Sequence, residues 1–271
     1  MIATMHGKER VIAPVLERTL GVQVVVATDL DTDQLGTFSG EVERTLDPVE
    51  AAKLKCKLAS EQYNCSLAIA SEGSFGPHPS MYFVPADDEI VVMMDFENEL
   101  EFKARELSLE TNFNGALLTN WNEVIKFTDA AQFPSHTVIV RKDKDDTLQM
   151  TKGIDSRELL ETKVTELLSA CGQVYIETDM RAMHNPSRMK VIERATEKLV
   201  QTINNLCPAC YTPGFTVVDI RVGLPCEQCG APTNSTHAHV YGCQKCDQRD
   251  IKLFPHNKKA ESPMYCNWCN P

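Results

Sequence analysis

The sequence predicts an α/β protein: a mixed twisted sheet flanked by helices over residues 1–204, followed by a cysteine-rich appendage over residues 205–271. Three observations carry this. Apolar runs of strand length, such as Leu67 to Ala70 and Val174 to Ile176, alternate with segments whose apolar residues recur at helical spacing. The first of those runs breaks into Ser71, Glu72, Gly73, Ser74, Gly76, Pro77, His78 and Pro79. An acid and glycines at the end of an inner strand is where open α/β sheets place ligands, although an ordinary polar turn has the same composition. Finally, eight of the eleven cysteines fall in four Cys-x-x-Cys pairs after residue 205.

A chain of 271 residues with 42% hydrophobic and 24% charged residues has the make-up of a soluble protein with a sizeable core. No apolar run reaches membrane-spanning length, and the N-terminus lacks the basic-then-apolar build of a signal peptide. A cytoplasmic location and no membrane partner are the expectations. The net charge is −11; residues 201–271 hold six Lys/Arg against five Asp/Glu, so the body carries about −12. Such a body repels phosphate backbones, which disfavours nucleic acid as a partner. One nucleotide held through a metal ion stays compatible with it.

The opening reads strand (Met1 to Ala3), turn (Thr4 to Lys8), helix (Val11, Ile12, Val15, Leu16, Leu20), then Gly21 as a stop and a second strand from Val22 to Ala27. Lys8 falls at a helix N-terminus, where an ammonium and backbone N–H groups suit a phosphate. A polar loop spans Asp29 to Gly40. Asp47-Pro48 caps a helix that runs to about Asn64, with Glu50 in its first turn.

Ala3-Thr4-x-His6-Gly7-Lys8, then Glu50-Ala51-Ala52-x-x-Lys55-Cys56, then a strand ending in Glu72-Gly73, resembles the inosine triphosphate pyrophosphatase family and its relatives acting on xanthosine and inosine triphosphates. The likeness covers roughly the first 95 residues. It implies that Glu50 and Glu72 hold magnesium or manganese and that Thr4, Lys8 and Lys55 meet the phosphates. His6 and Ala51 stand where that family has asparagine, and one acid stands where several members have two. The whole chain also resembles an uncharacterised bacterial family, a likeness that carries no activity.

Farther on, Met81 to Val84 and Ile90 to Asp95 read as strands across a turn at Pro85 to Glu89. Ser74 and His78, beside Glu72, join the candidate substrate contacts. His136 to Arg141 is a strand, Leu117 to Val124 a short helical turn, and Asp155 or Ser156 caps a helix that Gly172 ends. After the strand Val174 to Ile176, Asn185-Pro186 opens a helix to about Asn204, with Asp179, Arg181, His184 and Arg188 at its start. Two arginines and a histidine there suit an anion, against the alternative that Asp179 pairs with an arginine across the loop.

The tail carries Cys207/Cys210, Cys226/Cys229, Cys243/Cys246 and Cys266/Cys269, separated by 15, 13 and 19 residues. Each pair presents two thiolates to a tetrahedral ion, so eight thiols predict two structural zinc ions in a double zinc ribbon. The pairing stays open. A strand at Thr236 to Tyr241 would join the second pair to the third and leave the first with the last; sequential pairing is the other option. Two four-thiolate zinc sites bring the tail to about −3, which further disfavours nucleic acid.

Two readings of function follow. One is a metal-dependent hydrolase of a nucleotide or other phosphorylated small molecule, with Glu72, Glu50 and Lys8 as catalytic groups and Thr4, His6, Lys55, Ser74, His78, Arg181, His184 and Arg188 as substrate contacts. The other is a non-catalytic nucleotide-sensing or protein-interaction module with a structural ribbon. A homodimer and a protein docked on the ribbon are further candidate partners.

Overall fold

The computed structural model describes residues 1–30 and 46–271, so most of the loop read over Asp29 to Gly40 lies outside the described residues. The chain forms two compact units, Met1–Val200 and Gln201–Pro271.

The first unit begins with α1 (Glu9–Leu20), which ends on Gly21 in the left-handed region, φ 66°. Helix α2 (Pro48–Tyr63) starts where the Asp47 carboxylate accepts hydrogen bonds from Val49 N at 2.9 Å and Glu50 N at 3.3 Å. Strands β1 (Leu67–Pro77), β2 (Pro85–Asp95) and β3 (Leu100–Ser108) form an antiparallel sheet in chain order. Then follow β4 (Gly115–Leu118), α3 (Trp121–Ala130), β5 (Val138–Arg141), β6 (Met150–Ile154), α4 (Arg157–Cys171), β7 (Val174–Thr178) and α5 (Pro186–Asn204). The second sheet has the order β4-β7-β5-β6 and is antiparallel throughout.

The architecture is therefore mixed α/β, but built of separate antiparallel sheets rather than one mixed sheet. The expected first and second strands shrink to isolated parallel bridges, Ile2 with Val26 and Ile2 with Ile69. The segment expected to break into a loop after Ala70 stays in β1 as far as Pro77, opposite Pro85. Residues 81–84, expected as a strand, make the hairpin tip, where Tyr82 and Phe83 are 78% and 88% exposed. Residues 85–89, expected as the turn, open β2. The misreading has a physical source: this half of the hairpin buries glycine and paired charges instead of an apolar stripe.

Small side chains let α2 lie close on the first sheet. Ala52, Cys56 and Ala59 pack with Ala68, Ala70 and Val92. Burial pushes the Cys56 thiol up to about 12, so this cysteine acts as a core residue. The second sheet has its own core of Val124, Val138, Val140, Ile154, Val164, Val174 and Ile176. Among the described residues, no helix is long and apolar enough to cross a membrane.

The second unit is a three-stranded antiparallel sheet of β8 (Thr216–Val222), β9 (Thr236–Gly242) and β10 (Arg249–Leu253), with β9 in the middle. One buried cluster in it is Cys207, Phe215 and Cys243, with Tyr241 and Cys246 against it; Leu224, Cys226, Ala238, Val240 and Cys266 are buried as well.

Candidate functional site

The eight tail cysteines form two groups, Cys207/Cys210/Cys243/Cys246 and Cys226/Cys229/Cys266/Cys269, and within each all four sulfurs lie within 4.8 Å of one another. Sγ to Sγ separations are 3.7 Å for Cys207–Cys246, 3.6 Å for Cys210–Cys243, 3.9 Å for Cys226–Cys269 and 3.7 Å for Cys229–Cys266. A disulfide would need about 2.0 Å. A tetrahedron of sulfurs each about 2.3 Å from zinc has edges of about 3.8 Å. The donor set and its spacing fit a structural zinc ion in each group.

This crossed pairing, first knuckle with third and second with fourth, overturns both pairings weighed from the sequence. The strand order explains it. One knuckle lies before β8 and one follows each strand, and the chain reverses at every strand. Thr216 and Arg249 both sit opposite Gly242, whereas Val222 sits opposite Thr236 and Leu253 opposite Ala238. Odd-numbered knuckles therefore collect at one end of the sheet and even-numbered ones at the other. The tail histidines lie outside both groups: His237 packs on Phe254 at 5.2 Å and His239 on His256 at 5.4 Å.

In the α/β unit, residues from separate stretches converge on a buried polar cluster. Parallel pairing beside β1 stops after Ala3, and the Lys8 ammonium takes over as donor there. It bonds Ser71 O at 2.9 Å and Ser71 Oγ at 3.1 Å. Lys55, on the inner face of α2, pairs with Glu72, and both are buried. On the other face of β1 and β2, Gly73 sits opposite Glu89 and Phe75 opposite Asp87. Glu89 accepts from Arg188 Nε at 2.6 Å, with both side chains fully buried. Arg188 also donates to Met180 O at 2.5 Å and lies 5.1 Å over the Phe75 ring. Gly73 is required: a Cβ there would meet Arg188 Nη2 at 2.6 Å and the Glu89 carboxylate more closely still.

Asp87 and Glu89 were missed by sequence reasoning. Their alternation would have marked one face of a strand, had residues 85–89 been read as strand. As carboxylates, Asp87 Oδ1 and Oδ2 and Glu89 Oε2 are buried with no hydrogen-bond donor. A proton on Asp87 supplies one, directed to Glu89. Burial, reinforced by the charge of Glu89, pushes the Asp87 carboxyl up to about 8. Burial and the charge of Arg188 bring the Lys8 ammonium down to about 8. Counting Asp87 as neutral, the cluster sets Lys8, Lys55 and Arg188 against Glu72 and Glu89. The cluster is then net positive inside an acidic body.

The Asp87 shift has a testable consequence. A group whose folded pKa is raised above its unfolded value stabilises fully below the unfolded value and loses that contribution as pH rises through the folded one. For Asp87 the window runs from 3.8 to about 8. Asp87→Asn, which keeps a donor and cannot ionise, is expected to gain on the wild type steadily between pH 5 and pH 8 in thermal melts. A constant gap between the two proteins across that range would contradict the assignment.

The other candidates sit elsewhere. Glu50 is 56% exposed and pairs with Lys53 at 3.2 Å. Five residues along a helix is a rotation of about 140°, so Glu50 and Lys55 leave α2 in different directions. The expected metal pair of Glu50 and Glu72 is therefore not assembled. His78 lies in the hairpin turn, its Nδ1 accepting from Ser80 N and Met81 N. Ser74 is half-buried and Thr4 is buried, its hydroxyl donating to Met5 O at 3.1 Å. His6 and Gly7 both take positive φ, 66° and 74°. The Gly7 turn abuts Met183, whose Cβ would lie 3.4 Å from an added Gly7 Cβ.

Arg181 is drawn to Asp179, donating from Nη2 at 2.6 Å and Nε at 3.0 Å, and Gly153 N donates to the same carboxylate at 3.1 Å. This is the pairing across the loop, not an arginine presented to an anion. His184 stands beside Arg181 against Gly153, whose added Cβ would lie 3.2 Å from His184 Cε1 and 3.3 Å from Arg181 Nη2. Both arginines answer fully buried acids, which need an ion partner more than solvent does.

Antiparallel α/β sheets followed by crossed four-cysteine groups define the class: an α/β protein with a tail that fits a double zinc ribbon. A family model described as Domain of unknown function (DUF6671) matches residues 55–271, and the chain belongs to that family. No curated protein and no solved structure matches it. None of these comparisons supports the likeness of the N-terminal stretch to the inosine triphosphate pyrophosphatases.

Proposed function

We propose that the α/β unit is a non-catalytic sensing module that binds a phosphorylated small molecule, with the cysteine tail as its zinc-held structural appendage. One observation carries this reading: Glu72, expected to catalyse, is closed on Lys55, and Arg188, an expected substrate contact, is closed on Glu89, while Glu50 faces solvent. A hydrolase needs a metal held by free carboxylates and a water beside it. The buried cluster, net positive once Asp87 is protonated, instead suits recognition of an anionic group. Titrating the protein with nucleoside triphosphates and sugar phosphates, with and without magnesium or manganese, tests the reading. Saturable binding with no release of phosphate or pyrophosphate is the expected result. Metal-dependent release would overturn it.

A metal-dependent hydrolase is the second reading, and Asp87 favours it. A buried acid and a buried lysine both displaced toward neutral pH are common where proton transfer occurs. On that reading Asp87 and Glu89, rather than Glu50, stand with Glu72 as the acids of the reaction. Lys8→Met and Asp87→Asn would then each abolish turnover without unfolding the protein.

A further inference from the structure

We propose that a cavity in the α/β unit, beside the β1–β2 hairpin tip, holds a planar heteroaromatic ring whose edge both donates and accepts hydrogen bonds. The proposal rests on the sensing reading and names the chemistry of the ligand's non-phosphate part.

The cavity is an open cleft of about 690 Å³, within the range of small-molecule sites. Its lining includes Tyr82, Phe83, Phe113 and Tyr175. Tyr82 and Phe83 serve no core, being 78% and 88% exposed at the tip. Two large exposed aromatics on the rim of a cavity offer flat faces for stacking. The other aromatics are held in place. Phe113 packs on Phe75 with ring centroids 5.7 Å apart, which joins this wall to the Arg188 side of the charge cluster. Tyr175 lies beneath the Arg141 guanidinium at 5.3 Å, and Gly115 leaves room for its phenol, since any Cβ there would collide with the Tyr175 hydroxyl.

Arg141 and Glu177 supply the polar edge. Arg141 is 5% exposed and gives one Nη2 bond to Glu177 at 2.7 Å. Its Nε is buried and has no hydrogen-bond partner among the described residues. The Nε itself is closed off from the cavity, but Arg141 lines the wall and its guanidinium carries five N–H donors in all, so the cavity-side ones are open to a ligand acceptor. Glu177, also in the wall, adds acceptor capacity for a ring N–H. A purely apolar ring would use neither the Arg141 donors nor the Glu177 acceptor. The charged lining balances, Arg141 and Lys144 against Asp145 and Glu177, so it offers a flexible polyanion no net attraction.

The full-length, zinc-loaded protein can be titrated calorimetrically with guanosine, adenosine, cytidine and xanthine, with indole as the apolar comparison and inorganic pyrophosphate as the ring-free one. At least one heterocycle is expected to bind saturably and more tightly than indole. Replacing both tip aromatics, Tyr82→Ala with Phe83→Ala, is expected to weaken that binding about tenfold or more, since each stacked base contributes on this scale. Melting should not change, because both side chains are exposed. Affinity unmoved by the double substitution would overturn the proposal, as would indole binding as tightly as the heterocycles. Pyrophosphate binding without any heterocycle binding would sink this inference and leave the sensing reading standing; no binding of either would sink both.

Discussion

Cys207→Ser combined with Cys243→Ser is expected to leave one zinc ion per chain, whereas Cys207→Ser combined with Cys226→Ser leaves none. The crossed pairing makes this distinction. The first combination removes two ligands from one group, and the second removes one from each. Sequential pairing would give the reverse: Cys207→Ser with Cys226→Ser would spare one ion, and Cys207→Ser with Cys243→Ser would leave none. The structural effect is large because the unit has little else to hold it. Its buried apolar residues are Cys207, Phe215, Leu224, Cys226, Ala238, Val240, Cys243 and Cys266, so metal ligands are half of the core. Apparent zinc binding in small folded peptides is worth about 10–16 kcal/mol at neutral pH, and chelators unfold such units. A strong chelator is therefore expected to abolish the β-sheet signal of residues 201–271 and leave amide protection in β1, β2 and α5. Metal quantification and hydrogen exchange read the two outcomes separately.

Arg188→Met is expected to cost about 3–5 kcal/mol, because it strands the fully buried Glu89 without its partner. That is a large share of the roughly 5–15 kcal/mol that holds a typical domain together. The companion substitution decides the cause. Glu89→Gln placed on Arg188→Met removes the stranded charge and should recover much of the loss. A double variant no more stable than Arg188→Met alone would mean that the packing of Arg188 over Phe75, not its charge, carries the effect. Chemical denaturation of the two variants beside the wild type measures this directly.

Local signals made the helices legible. Ser156 accepts from Leu159 N and Gly172 takes φ 71° at the far end of α4. Asn185 Oδ1 accepts from Arg188 N at the start of α5, where Pro186 opens the helix. Caps of this kind act within one turn, so sequence displays them. The outer half of β1 was hidden for the opposite reason. Gly73 and Glu89 occupy positions where an apolar stripe would announce a strand, and their use depends on Arg188, 99 residues away from Glu89.

The ribbon was legible in its ligands but not in their pairing. Cysteine spacing marks four knuckles, yet the pairing follows from how many strands separate them. β8 and β10 are short and exposed, with Val218, Ile220, Val222, Ile251 and Leu253 all more than half exposed, so no burial pattern marked them. Once three strands are counted, alternation of direction leaves only the crossed arrangement. In the α/β unit, Glu50 looked like a metal ligand by its place before Lys55, but helix rotation carries it to the Lys53 side. Asp87 and Glu89 lay unread inside a segment that Pro85 and three consecutive acids made look like a turn.

On the proposed reading, the cluster around Lys8 receives an anionic group. The most direct measurement is the affinity for inorganic pyrophosphate at pH 7 and pH 9, in the wild type and in Lys8→Met. Lys8 sheds its proton near 8 and Asp87 ionises in the same range, so the cluster turns from net positive toward negative as pH rises between those points. Saturable binding at pH 7, weakened at least tenfold at pH 9 and likewise in Lys8→Met, is the expected result. Absence of binding at pH 7, or an affinity indifferent to both the pH and the substitution, would contradict it.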